Sequence, residues 1–182
     1  MSDCKRRDFL KAGLGFLAGS LLPVKALAAM ISPLEVRRTL ALYNIHTEEH
    51  LDVCYFDQDG YRFDALTQID HFLRDYRTGE VNTIDVDLID LLYTVQCHIR
   101  PSAPFSIISG YRSRETNERL RRSTAGVAKD SFHTKGKAID IRLPGYNTTS
   151  LRDLCVDLQA GGVGYYRKSN FVHIDIGPVR TW

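Results

Sequence analysis

The strand pattern that decides the fold reads Phe171-Val172-His173-Ile174-Asp175-Ile176. Apolar and polar residues alternate in it with a period of two, which is typical of a strand that buries one face. Its aliphatic residues are expected to face the core. His173 and Asp175 then lie together on the opposite face, about 7 Å apart along the strand.

A second alternating stretch runs from Lys137 to Leu143. Its isoleucines take the core side, which leaves Asp140 on the opposite face. If the two strands are neighbours, Asp140 and His173 share one open face. His133 reaches the same place from the preceding loop, where Gly136 allows the chain to turn sharply.

Two imidazoles and one carboxylate in this arrangement suit Zn²⁺. Three protein ligands leave the fourth position of a tetrahedral ion for water, as in catalytic zinc sites. Each residue alone also has an ordinary structural explanation, because a single His on a strand is usually a surface or core residue. The spacing alone leaves both interpretations open.

Working outward, the remaining hydrophobic periods predict an α+β domain. A small antiparallel sheet is expected to carry the zinc site on its open face, with helices packed on the other face. Asp64 is the expected N-cap of the first helix. The predicted strands are 40–45, 51–56, 105–108, 137–143, 163–166 and 170–176, and the predicted helices are 65–76, 85–99, 114–122 and 149–159.

The bulk composition is that of one globular domain. The chain has 182 residues, of which 43% are hydrophobic and 25% charged. Its formal net charge is only +2, so no general basic field favours nucleic acid as a partner.

The first 28 residues have the order of a signal peptide. A basic start, Lys5-Arg6-Arg7, precedes a short apolar run that ends in small residues near Ala28. The arginine pair resembles the twin-arginine export signal, although Lys5 stands where that signal usually has Ser or Thr. An amphipathic first helix is the alternative. We therefore expect export to the periplasm, a single peptidase domain over 29–182 and no stable membrane span.

Three cysteines remain after the predicted signal peptide, namely Cys54, Cys97 and Cys155. Each lies in an apolar stretch without a CxxC pair, which favours small packed hydrophobes over catalytic thiols. One disulfide is possible, and the sequence does not select its partners.

The motifs resemble those of a known group of enzymes. Ser131-x-His133-x-x-Gly136-x-Ala138-x-Asp140 with a distant His173 is similar to the zinc D-Ala-D-Ala peptidase, lysostaphin and hedgehog group. The segments 161–166, 171–177 and 177–182 resemble its exported cell-wall endopeptidase branch. The resemblance implies that His133, Asp140 and His173 bind one zinc ion. It also implies that Arg112 faces the carbonyl oxygen during attack, and that Ser131 steadies the ligand loop and touches substrate.

The sequence departs from the carboxypeptidase branch of this group in one respect. Those enzymes carry Glu or Asp shortly before the last ligand, as the base that takes a proton from water. The corresponding stretch here, 167–170, has no carboxylate. Asp175 is one candidate base, although it can instead orient a ligand His, and Asp130 is another.

The expected function is that of a periplasmic zinc peptidase that cuts the peptide cross-links of peptidoglycan. The resemblance implies links between two meso-diaminopimelate residues (3-3), with D-Ala–diaminopimelate links (4-3) as a second substrate. Arg112, Lys135, Lys137 and Arg142 are basic residues available for the substrate's carboxylates. A non-catalytic cell-wall binding module and a D-Ala carboxypeptidase are the alternatives. Besides peptidoglycan, the export machinery is the expected partner.

Overall fold

A computed structural model of the chain describes residues 37–124 and 126–182. The predicted signal peptide, residues 1–28, lies outside the described residues. Within the described part, no helix combines the length and the apolar character needed to cross a membrane.

The elements follow the predicted order closely. The helices of the described residues are α1 (Phe63–Phe72), α2 (Val86–Ile99), α3 (Arg114–Ser123) and α4 (Thr148–Asp157). The strands are β1 (Arg38–Asn44), β2 (His50–Asp57), β3 (Gly60–Tyr61), β4 (Phe105–Ser109), β5 (Ala138–Arg142), β6 (Gly162–Tyr166), β7 (Phe171–Asp175) and β8 (Arg180–Thr181).

The sheet differs from the small antiparallel sheet that the sequence predicts. It has eight strands among the described residues, in the order β3-β2-β1-β4-β5-β7-β6-β8. Two pairs of neighbours, β1 with β4 and β6 with β8, are parallel, so the sheet is mixed. Parallel neighbours require a long crossover connection, and the one between β1 and β4 contains β2, β3, α1 and α2.

One face of the sheet packs against helices to form the core. Ile69 of α1, Leu92 of α2 and Leu151 of α4 are buried there with strand residues such as Ile107 and Ile174. Burial of these apolar side chains is the main source of stability. Helix α3 is an exception to the predicted layering: of its residues, the polar Thr116 and Asn117 are the buried ones.

The helix ends show why the boundaries lie where they do. Asp85 caps α2 by accepting a hydrogen bond from the amide of Asp87, and Asn147 caps α4 through the amides of Thr149 and Ser150. The prediction that Asp64 caps α1 is wrong. The helix begins at Phe63, so Asp64 lies in its first turn, where a carboxylate is still favourable near the helix dipole.

Candidate metal centre

His133, Asp140 and His173 come together on the sheet face opposite the core. Asp140 in β5 and His173 in β7 are direct partners across the antiparallel pair, as the alternation predicts. His133 lies in a 3-10 turn, Phe132–Lys135, just before β5. Gly136 ends that turn with a φ of +65°, a left-handed conformation in which glycine avoids the strain of a side chain.

The donor atoms of the three side chains face one another. His133 Nε2 lies 3.2 Å from Asp140 Oδ1 and 3.2 Å from His173 Nδ1. His173 Nδ1 lies 2.9 Å from Asp140 Oδ1. All three residues are buried, with exposed fractions of 3% for His133, 6% for Asp140 and 7% for His173.

The outer nitrogens of the two rings fix the tautomers of the neutral imidazoles. His133 Nδ1 lies 2.8 Å from the carbonyl oxygen of Gly110, which can only accept, so Nδ1 carries the proton. His173 Nε2 lies 2.9 Å from Asp175 Oδ2 and donates to that carboxylate. Both inner nitrogens therefore present lone pairs to the Asp140 carboxylate. Three acceptors at these distances repel one another unless a cation or a proton lies between them.

The cluster fits a metal ion of the zinc type. One ligand atom from each residue can be chosen so that all lie within 4.8 Å of one another. Zinc–nitrogen bonds of ~2.0–2.1 Å in a tetrahedral site imply donor separations of about 3.3 Å, close to those observed. An imidazole–imidazole–carboxylate set is also the composition that catalytic zinc sites use.

The protein groups around the cluster tune its protonation. Burial lowers the pKa of His133 and keeps that ring neutral. Burial acts in the same direction on His173, but hydrogen bonds with Asp140 and Asp175 outweigh it and raise the pKa. Burial opposes ionisation of Asp140, yet the two histidines hold its pKa below the usual range. A metal ion would therefore compete with protons for the inner nitrogens.

Asp175 lies behind His173 and outside the groove that exposes the cluster. Its side chain is completely buried and accepts hydrogen bonds from the amides of Gly162 and Gly177 and from Arg180, in addition to His173. Burial disfavours its charged form, but these donors hold the pKa of Asp175 well below its usual value. The geometry corresponds to a carboxylate that orients the His173 ring, one of the two roles that the sequence left open.

Arg112 enters the groove beside the cluster, on the loop between β4 and α3. Its Nη2 atom lies 3.8 Å from Asp140 Oδ2 and 3.3 Å from Ser109 Oγ, and its Nη1 donates to Asn117 at 3.4 Å. Its backbone amide donates to the carbonyl of His133 at 3.2 Å. This hydrogen bond connects the Arg112 loop to the 3-10 turn that carries His133. Burial lowers the pKa of Arg112, and Asp140 opposes that effect.

A buried carboxylate supports the Arg112 loop from behind. Asp75 accepts hydrogen bonds from the amide of Ser113 at 2.9 Å and from its hydroxyl at 2.6 Å. The amide of Tyr111 also donates to the carbonyl of Leu73 at 2.7 Å. Sequence reasoning missed this support, because nothing near Asp75 in the chain indicates that it meets residue 113.

The other predicted residues divide between groove and periphery. Ser131 and Asp130 line the groove, and Ser131 Oγ accepts a hydrogen bond from the amide of His133 at 3.3 Å. Arg142 lines it too. Lys135 lies over the Phe132 ring, and Lys137 pairs with Asp85 at 3.3 Å. Neither lysine lines the groove.

The groove itself measures about 810 Å³ and has aromatic walls that sequence reasoning did not assign. On one side, the Trp182 ring lies 5.2 Å from the His173 ring, and Tyr166 stacks on Phe171 at 4.5 Å. On the other, His46 stacks on Tyr76 at 3.8 Å. Alternation along β6 places Tyr166 on the same face as His173 and could have identified it.

An α+β domain with two buried histidines and an aspartate converging in an open groove is a candidate metal-dependent hydrolase. A profile of the family Peptidase_M15_2, described as "Peptidoglycan L,D-endopeptidase MepK", matches residues 33–182. The chain belongs to this family. The resemblance that the sequence motifs indicate, to murein endopeptidase K of enteric bacteria, is thereby confirmed.

Curated relatives match along nearly their whole length. "Peptidoglycan L,D-endopeptidase MepK" of Escherichia coli (strain K12) is 43% identical over 180 residues, covering 99% of this chain and 98% of the relative. The protein of the same name from Shigella flexneri matches equally well. "Probable peptidoglycan L,D-endopeptidase MepK" of Haemophilus influenzae is 40% identical over 181 residues, covering 99% and 96%. No solved structure gives a significant match.

Proposed function

We propose that this chain is a periplasmic zinc endopeptidase that hydrolyses the peptide cross-links of peptidoglycan. The observation that carries the proposal is the convergence of two imidazole lone pairs and a carboxylate oxygen in an open groove. Family membership and the relatives' name support the same substrate. His133, Asp140 and His173 would hold the zinc ion.

When bound, zinc supplies a Lewis acid that polarises the scissile carbonyl and lowers the pKa of a water molecule. The chain's own part is to orient the reactants and to stabilise developing charge. Arg112 is held by Ser109 and Asn117 with its guanidinium in the groove. A fixed positive charge there favours the negative charge that develops on the carbonyl oxygen during attack.

The acid–base role is assigned by access to the groove. Asp175 is sequestered behind His173, and its contacts support an orienting role. Asp130 is the carboxylate other than Asp140 among the groove-lining residues that the structure describes, and it is exposed to solvent. We therefore assign Asp130 as the candidate that receives the proton released during attack.

The stereochemistry of the link favours one substrate over the other. The relatives' name specifies an L,D bond. A 3-3 link joins the L-centre carboxyl of one diaminopimelate to the D-centre amine of the next, whereas a 4-3 link joins two D-centres. The proposed order of preference is therefore 3-3 links first and 4-3 links second.

Arg142 is the proposed partner of a substrate carboxylate. It lies two residues after Asp140 on β5 and lines the groove, and no hydrogen bond or ion pair joins its side chain to the described residues. Each diaminopimelate residue carries carboxylates, and a free guanidinium can bind one in a bidentate manner. Ser131, which lines the same groove, is a second proposed contact.

Access to peptidoglycan requires export in this proposal. Residues 1–28 would serve as a twin-arginine-type signal peptide and residues 29–182 as the peptidase domain. Replacing Arg6-Arg7 with Lys-Lys should retain the chain in the cytoplasm, which cell fractionation would detect.

The decisive experiment compares three proteins on defined muropeptides. Wild type, His133→Ala and His98→Ala are incubated with zinc and with 3-3 dimers, 4-3 dimers and monomeric pentapeptides, and the zinc content of each protein is measured. His98 is an exposed residue of α2 and serves as the matched control. We expect His133→Ala to lose both zinc and dimer cleavage, and His98→Ala to keep both.

The same assay separates the alternatives. Equal cleavage by wild type and His133→Ala would refute the metal mechanism. Binding of muropeptides without new products at any zinc concentration would identify a cell-wall binding module. Release of D-Ala from the monomeric pentapeptide alone would identify a carboxypeptidase.

A further inference from the structure

Tyr166 projects into the groove beside His133, Asp140 and His173. In the pairing of β6 with β7, Gly164 is the partner of His173 and Tyr166 the partner of Phe171, so Tyr166 lies on the same sheet face as His173. The side chain is 38% exposed and lines the groove. Its ring stacks on Phe171, with centroids 4.5 Å apart and planes 14° from parallel.

The hydroxyl of Tyr166 has a defined hydrogen-bond polarity. Trp182 Nε1 lies 3.2 Å from Tyr166 Oη. An indole nitrogen can only donate, so the tyrosine oxygen is the acceptor in this bond and keeps its own hydrogen for another partner. No acceptor for that hydrogen is found among the described residues. The O–H group is therefore free to donate to a molecule in the groove.

The indole that fixes this hydroxyl is itself firmly placed. The amide of Trp182 donates to the carbonyl of Val163 at 3.2 Å, and the amide of Tyr165 donates to the carbonyl of Trp182 at 3.0 Å. The ring lies where a side chain on Gly164 would be, because a Cβ atom there would come within 2.6 Å of it. Tyr166 is thus held by ring stacking on Phe171 and by a hydrogen bond from Trp182.

Arg112 supplies a second donor to the same groove. Both residues line the groove, Tyr166 from β6 and Arg112 from the loop between β4 and α3. We propose that Tyr166 is a catalytic residue that donates its hydroxyl hydrogen bond to the oxygen of the carbonyl under attack, together with Arg112. This role rests on the proposed endopeptidase function. No bond to Tyr166 forms or breaks, and its proton stays on the phenol.

The role predicts a specific kinetic signature. A donor that strengthens its bond as charge develops on oxygen acts in the transition state more than in the ground state. Its loss should lower kcat and kcat/KM by the same factor and leave KM unchanged. Loss of one such donor costs about 10²- to 10³-fold in kcat in a well-studied case, and we expect about 10- to 100-fold here because Arg112 remains.

The test compares Tyr166→Phe with Tyr165→Phe on a cross-linked muropeptide. Both variants lose one phenol oxygen, but the Tyr165 hydroxyl bonds to Thr149 of α4 at 2.9 Å, away from the groove. We expect Tyr166→Phe to lower kcat by about 10- to 100-fold and Tyr165→Phe to leave it within about twofold. Zinc content and the unfolding midpoint are measured for both. Trp182→Phe, which removes the orienting N–H, should give a smaller loss.

A binding measurement complements the kinetics. A phosphinate analogue of the cross-link carries negative oxygen where the attacked carbonyl would, so Tyr166→Phe should weaken its binding by the same factor as it lowers kcat/KM. Unchanged kcat in Tyr166→Phe, or a change confined to KM, would overturn the proposed role. Failure of wild type to cleave any muropeptide would overturn the proposed function itself, and this outcome is distinguishable because it does not depend on the variant.

Discussion

Replacing Asp175 with Asn tests whether the buried carboxylate sets the tautomer of His173. The side chain keeps its shape but loses its charge. Asp175 Oδ1 accepts from the amides of Gly162 and Gly177, at 3.2 and 2.8 Å, so the amide oxygen of Asn is expected to occupy that position. The amide NH₂ group would then face His173 Nε2, where only an acceptor nitrogen fits it. The ring proton would move to Nδ1, the atom that faces His133 and Asp140.

The expected magnitude follows from this displaced proton. Loss of a partner that orients a metal-ligating His typically costs 10- to 100-fold in metal affinity or activity, which corresponds to about 1.4–2.7 kcal/mol. The upper end is expected here, because the NH₂ group would also oppose Arg180, whose Nη2 lies 2.7 Å from Oδ2 in the native protein. Both effects push the ring and the arginine away from their native positions.

The assay is a zinc titration against a chelator of known affinity, followed by muropeptide cleavage at saturating zinc. Asp153→Asn is the matched control, because Asp153 is an exposed carboxylate of α4 that pairs with Arg152. Zinc affinity of Asp175→Asn within about twofold of wild type, with Asp153→Asn also unchanged, would refute the tautomer argument.

Three further predictions concern backbone strain, pH and the proton acceptor. Gly136→Ala should lower the free energy of unfolding, measured in denaturant, by about 1–3 kcal/mol or more, because the new Cβ would lie 2.1 Å from the Thr83 carbonyl oxygen. Gly145→Ala is the control: its φ is also positive, at +76°, but nothing lies near the new Cβ, so the loss of stability should be smaller. Burial opposes ionisation of Asp75, but hydrogen bonds, chiefly from Ser113, hold its pKa below the usual value, so its stabilisation is present above about pH 4 and lost as the pH falls further. Asp75→Asn should therefore flatten the acid side of the stability profile in urea titrations, and an unchanged slope would contradict this. Asp130→Asn should lower kcat with zinc content unchanged, and full activity would remove Asp130 as the proton acceptor.

The alternation of strand residues predicted correctly that Asp140 and His173 share one face of the sheet. Side chains on a strand alternate with a strict period of two, so the faces of Asp140 and His173 follow directly from their isoleucine and valine neighbours. The turn that brings in His133 was indicated by Gly136, whose left-handed conformation the structure contains. These features depend on residues close together in the chain.

The features that the sequence could not predict depend on which strands become neighbours. Alternation placed Asp175 on the open face, but it did not show that Arg180 of β8 would cover the carboxylate or that Gly162 would leave room for it. For the same reason the sheet was expected to be small and antiparallel. Periodicity defines the face of a strand and not the direction of its neighbour, so the parallel pairing of β1 with β4 was missed.

Arg180 would link the docking of β8 thermodynamically to metal binding by His133, Asp140 and His173. It joins β8 to Asp175, which in turn holds His173. Such a linkage is reciprocal: if docked β8 raises metal affinity by some factor, bound metal favours docked β8 by the same factor. The amide of Trp182, which bonds to Val163 across this junction, should then exchange with deuterium more slowly as zinc is added. Deuterium exchange beside β8, at the edge of the sheet, would then report whether metal is bound at His173.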